Sequence, residues 1–280
     1  MVLLEYENIK KINMEKPAKL SQLILYVVLS YSILWILVGI GKLFEIPFTY
    51  DPRQMGGLLV LIGVPAALIG ATTSVFITYG KDGLHHLLKR SLRFRFNIIW
   101  YIAAVSTPLA IAAASTLTAV SISDAEIPNK WFSPSMPLGF MIFFLVYNGL
   151  GEEIGWRGFA LPELQNRLGS LGGSIIVGIL WALWHLPLFF APGSSQYGDS
   201  LVVYIYLLTC WTIVMALFTY KAQGSVLPAI LLHESANFFS FAINYSKQYV
   251  FLYWGIAAFI ATLFLPKPLI KFGTNSKPRI

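Results

Sequence analysis

The feature that most constrains this chain is a series of uninterrupted apolar runs, each about twenty residues long, the length a helix needs to cross a bilayer. Only α-helices and closed β-barrels satisfy their backbone groups in lipid. Barrel strands alternate apolar and polar residues over about ten positions, and these runs do not alternate. The fold class is therefore all-α, a polytopic membrane protein. Composition agrees. Hydrophobic residues make up 56% of the 280 and charged residues 12%, about half the roughly 25% charge of a soluble domain.

The runs predict about eight transmembrane helices, near 20–44, 57–79, 98–122, 137–161, 171–190, 201–220, 226–244 and 249–265. Four stretches follow from them: a leader over 1–19, N-terminal helices within 20–136, a polar-bearing core over 137–245, and a last helix with a basic tail over 246–280. Loop charge orients the spans. Lysines before residue 20, then Lys81, Lys89, Arg90, Arg93 and Arg95, then Arg167, Lys221 and the tail cations fall on one side. Arg53, Lys130, Lys247 and Lys42 fall on the other. Positive loops stay in the cytoplasm, so both termini are expected there, as an even number of spans requires.

The net charge of +7 would suggest nucleic acid as a partner of a soluble protein. Here the cations lie between or outside the apolar runs, and no nucleic-acid motif is present. The bilayer is the partner, with anionic headgroups as counter-charge. Segment 81–96 interleaves basic and apolar residues, as an interfacial amphipathic helix or a solvated basic loop would. Its adjacent His85 and His86 cannot face one ligand from a helix. Cys210 is the single cysteine, which rules out an internal disulfide. It lies in an apolar run and reads as a packed thiol.

Three spans carry charge in their interiors. The fourth reads NGLGEEIGWRGFALPEL, with Glu152, Glu153 and Arg157; the fifth reads ILWALWHLPLFF, with Trp181 and His185; the seventh reads LPAILLHESANFF, with His233, Glu234 and Asn237. A charge at mid-membrane costs roughly 2.5–3.5 kcal/mol on insertion scales. Such residues are expected to face the bundle interior and to find partners there. Glu153 and Arg157 are spaced i, i+4 in the favourable order, while Glu152 points about 100° away around the helix. Pro187 should end or kink the fifth span near His185 and free carbonyls there. A carboxylate, two imidazoles and an amide on three helices can polarise a water, take its proton and stabilise an oxyanion. HESAN begins like a zinc-binding HExxH, but its second histidine position is Asn237. Zinc is the candidate cofactor; it would need Glu152, His185 and His233 brought together by packing, and none is required by the spacing. Glu234 reads equally as a helix-flank carboxylate near water.

These residues also resemble a known family. GEEIGWRG is similar to the EExxxR motif of the CPBP intramembrane proteases (CAAX prenyl protease 2, bacteriocin-processing and abortive-infection proteins). WALWHLP resembles the second motif, with Trp181 where Phe is commoner, and GSVLPAILLHESANF the third. The resemblance covers about 137–244. It implies that Glu152 activates water with His185, that His233 and Asn237 hold the oxyanion, and that Glu153 and Arg157 support the site. It further implies a membrane-associated peptide substrate, of CaaX or bacteriocin-leader type, and, for a prokaryotic member, the cell membrane as location. A metal label and a metal-free glutamate mechanism both attach to the family. Two other functions fit the same polar residues: a proton-coupled transporter and a non-catalytic immunity or peptide-binding membrane protein.

Overall fold

The structure is a computed structural model that describes residues 19–123, 125–134 and 137–266. The expected leader, apart from Lys19, and the basic tail lie outside the described residues. The elements are α1 (Leu20–Leu43), α2 (Met55–Gly63), α3 (Ala66–Ser91), α4 (Ile99–Ser123), α5 (Leu138–Gly155), a π-helical turn (Trp156–Ala160), α6 (Leu161–Trp184), a 3₁₀ turn (Leu186–Phe190), α7 (Leu201–Lys221), α8 (Leu227–Ala242) and α9 (Val250–Phe264). Among the described residues there is no strand beyond an isolated antiparallel bridge between Phe132 and Ile243.

Among the described residues five helical stretches are long and apolar enough to cross a membrane: Leu20–Leu43, Met55–Ser91, Ile99–Ser123, Met141–Phe190 and Leu201–Lys221. Together with the similarity reported below, they support an integral membrane protein. The long stretches are not single rods. The run expected as one span over 57–79 is two helices, α2 and α3, parted at Val64–Pro65, where proline cannot donate to the preceding turn. The fourth and fifth expected spans form one helical stretch broken at Gly169, whose φ of +76° only glycine takes without strain. α8 has 16 residues, about 24 Å, shorter than the roughly 30 Å hydrocarbon layer.

α3 continues past a break at Gly80 (φ +65°). Beyond it Gly83, Leu87 and Ser91 are buried at a four-residue interval, while Lys81, His85 and Lys89 are exposed. Of the two forms open to the basic segment, this is the amphipathic helix, as far as Ser91.

α1 packs on α3, α3 on α5, α6 on α7, α4 on α8, and α9 on α7. Close approach is built in at Gly155 of α5. A Cβ there would stand 2.5 Å from the Ala67 carbonyl oxygen. The outward faces are apolar, with Ile36 60%, Leu117 67% and Val202 76% exposed, as lipid-facing surfaces are. Glu152, Glu153, Arg157 and Glu234 are buried inside the bundle, with Glu153 fully buried and Arg157 1% exposed.

Candidate active site

Glu152 and Glu153 lie in the last turn of α5, just before the π-turn that carries Arg157. A π-turn takes an extra residue into the helix and is common at functional sites. Arg157 Nη1 donates to Glu153 Oε1 at 2.9 Å, and Nη2 donates to Thr212 Oγ1 of α7 at 3.0 Å. The guanidinium also lies over the Trp181 ring, 3.9 Å from its centroid. Breaking such a buried pair costs about 3–5 kcal/mol, because it strands the remaining charge.

Trp181 is a junction. Its ring faces Arg157, its Nε1–H donates to Glu152 Oε2 at 2.6 Å, and its carbonyl accepts from His185 Nδ1 at 2.8 Å. The last contact follows from the local chain. α6 stops at Trp184, and the His185 amide bonds to Ala182 rather than to Trp181. The freed Trp181 carbonyl is then taken by the imidazole of the same residue. Neighbouring carbonyls are met from α1: Tyr31 Oη donates to Leu180 O at 2.5 Å and Trp35 Nε1 to Trp184 O at 3.0 Å. A carbonyl only accepts, so His185 carries its proton on Nδ1, and the neutral ring keeps Nε2 as an acceptor.

His233 is held differently. Its Nδ1 meets Glu153 Oε1 at 2.9 Å and stands 3.5 Å from Glu234 Oε1. Its ring packs edge-on to Trp181, with centroids 5.0 Å apart. Glu234 is not at a wet flank. It is buried, and its two oxygens accept from Asn148 Nδ2 at 2.9 Å and Asn237 Nδ2 at 3.3 Å.

A cavity of about 770 Å³ reaches this cluster. Glu152, His185, His233 and Asn237 all line it, whereas Glu153, Arg157 and Trp181 stand behind its wall. Its other walls come from the second half of α1, from α2, and from the loops around Tyr50 and Ser195, whose hydroxyls are 3.2 Å apart. Residues 134–239 match the family described as type II CAAX prenyl endopeptidase, Rce1-like. The CAAX prenyl protease 2 of Methanococcus maripaludis is 29% identical over 178 residues, 62% of this chain.

Over that segment the chain is similar to the type II CAAX prenyl endopeptidases.

The match spans 65% of that relative's length, just under two thirds. Within the matched segment, all three motifs turn toward one another. The zinc alternative fares otherwise: among the described residues no three His, Cys, Asp or Glu side chains are grouped so as to hold a metal ion. Sequence reasoning passed over Asn148, which lines the cavity and lies one turn before Glu152. Its polarity within an apolar span was the available signal. Tyr50 and Tyr204, also in the lining, carried no such signal, since aromatic residues are common throughout.

Proposed function

We propose that this protein is an intramembrane endopeptidase that hydrolyses a peptide bond of a membrane-associated substrate with water activated by Glu152 and His185. One observation carries the reading: a carboxylate from α5, an imidazole just past the end of α6, and an imidazole and an amide from α8 line a single cavity. Glu152 takes a proton from water, and the water oxygen bonds to the scissile carbonyl carbon. His233 and Asn237 stand for the developing oxyanion. The C–N bond then breaks, and the proton passes to the departing amine. His185, its Nδ1 fixed by the Trp181 carbonyl, offers Nε2 to the same water. Glu153 and Glu234 orient His233, and Arg157 balances Glu153.

The protease belongs, on this reading, to the CAAX prenyl protease 2 type, acting on a CaaX-type or leader-peptide-type substrate. About eight transmembrane segments with cytoplasmic termini in a prokaryotic cell membrane complete the proposal. Glu152→Gln keeps the size of the side chain and removes the base. Cleavage of a membrane-anchored reporter is expected to fall at least about 100-fold, with insertion and thermal stability near wild type. Undiminished cleavage by the variant refutes the assignment.

A further inference from the structure

The two ends of the bundle differ in charge, and the cavity opens at only one of them. One end is tied together by Ser225 Oγ donating to the Arg93 carbonyl at 2.6 Å, by the Val226 amide bonding to the Ser91 carbonyl at 2.9 Å, and by Arg90 donating to the Gly158 carbonyl. Its described cations are Lys81, Lys89, Arg90, Arg93 and Arg95 around the end of α3, Arg167 beside the Gly169 break, and Lys221 closing α7. Acidic groups there are few: Asp82, and Glu163, which pairs with Arg167 at 3.0 Å.

The other end is held by Tyr50 against Ser195 and Phe241, and by the Asn244 amide on the Trp131 carbonyl at 2.9 Å. There Lys42, Arg53, Lys130 and Lys247 are offset by Glu45, Asp51, Glu126 and Asp199. Arg53 is bonded to Asp51 at 2.7 Å, and these hydrogen bonds hold the Asp51 carboxyl well below the usual carboxylate range. Loops rich in unpaired Lys and Arg remain cytoplasmic, while acidic residues weigh little in that rule. On cations alone the first end is still the richer, so it is the cytoplasmic one.

Apart from Asn148 and Glu152 of α5 and His233 of α8, which sit at its deep end, the cavity is lined from parts of the chain near the second end, the loops at Glu45–Tyr50 and Ala191–Gln196 among them. α1 contributes from Leu34 onward, α7 only Tyr204 of its first turn, and α8 only His233 and residues after it. Toward the basic end the way is shut: residues 151–161 are all buried, Trp156 and Phe159 among them.

We infer that substrate reaches Glu152 from the extracytoplasmic side, so that it is a membrane-anchored polypeptide whose cleavage point stands at or beyond the outer half of the bilayer, as in an exported peptide, and not a cytoplasmic CaaX terminus. This rests on the protease reading and adds sidedness to it.

Two reporters, each with one added cysteine, test the orientation. Asp199→Cys places a thiol in the exposed loop at the cavity end, and Lys89→Cys places one at the basic end; the parent thiol, Cys210, is buried and serves as the blank. A membrane-impermeant maleimide is expected to label the first in intact cells and the second only after permeabilisation. The opposite pattern overturns the inference. In a second arm, a lipid-anchored peptide is added outside right-side-out or inverted vesicles, with Glu152→Gln as control. Glu152-dependent cleavage in right-side-out vesicles alone supports the inference. Glu152-dependent cleavage in inverted vesicles alone overturns the sidedness and leaves the protease reading standing. Cleavage by Glu152→Gln at the wild-type rate overturns the protease reading itself.

Discussion

The floor of the cavity and its mouth are built on opposite terms. At the floor, Arg157, Glu153, His233 and Trp181 are locked together by short contacts from three helices, with essentially no exposure. At the mouth, Tyr50 and Ser195 meet by one hydrogen bond between loops, and Ser195 is exposed. A buried charged network is costly to disturb because each member would strand another. A surface hydrogen bond exchanges readily with water and contributes little. On the proposed reading, the molecule thus places rigidity where reacting groups must hold their positions and leaves adaptability where a peptide must enter.

Four substitutions test that contrast, from the largest expected effect to the smallest. Arg157→Ala strands Glu153 and should cost about 3–5 kcal/mol, read as a large fall in thermal stability in detergent together with lost cleavage. Wild-type yield, stability and activity would break the comparison. Gly155→Ala drives a methyl group against the Ala67 carbonyl. Overpacking of this kind costs about 1–3 kcal/mol, so a lower unfolding temperature is expected, with activity recovering at reduced temperature; an unchanged melting curve would argue against so tight an α3–α5 contact. Trp181→Phe keeps a ring beneath Arg157 but removes the hydrogen bond to Glu152. A hydrogen bond to a charged group is worth about 1.5–3 kcal/mol, so kcat should fall roughly tenfold or more while KM changes little. An equal change in both constants would mean that Trp181 shapes binding instead. Tyr50→Phe, at the mouth, should alter stability by less than about 0.5 kcal/mol and shift KM without changing kcat. A collapse of kcat there would place Tyr50 with the floor.

Much of the floor was legible in the sequence because charge in an apolar run is expensive and needs a reason. Glu152, Glu153, Arg157, His185, His233 and Asn237 stand out on that ground alone, and the i, i+4 spacing of Glu153 and Arg157 correctly anticipated their ion pair. The role of Pro187 was visible too, since α6 stops just before it. Other features were hidden. The π-turn at Trp156–Ala160 packs against α3 and α7, contacts that no local pattern encodes. Glu234 looked like a flank residue because its partner Asn148 lies 86 positions away in sequence. The parting of α2 from α3 at Val64–Pro65 was masked by unbroken hydropathy, which reports solvent and not helix continuity.

The bonds from Tyr31 and Trp35 to the frayed end of α6 have a bearing on where this enzyme-like unit stops. The segment matching the family begins at residue 134, yet the peptide oxygens exposed where that segment unwinds beside its histidine are satisfied by side chains from the first helix of the chain. Cut away from residues 20–43, the matched segment would hold all its motifs and still lack both the caps that fix His185 and one side of the chamber. Motif-bearing sequence and complete chamber are, in this molecule, two different lengths of polypeptide.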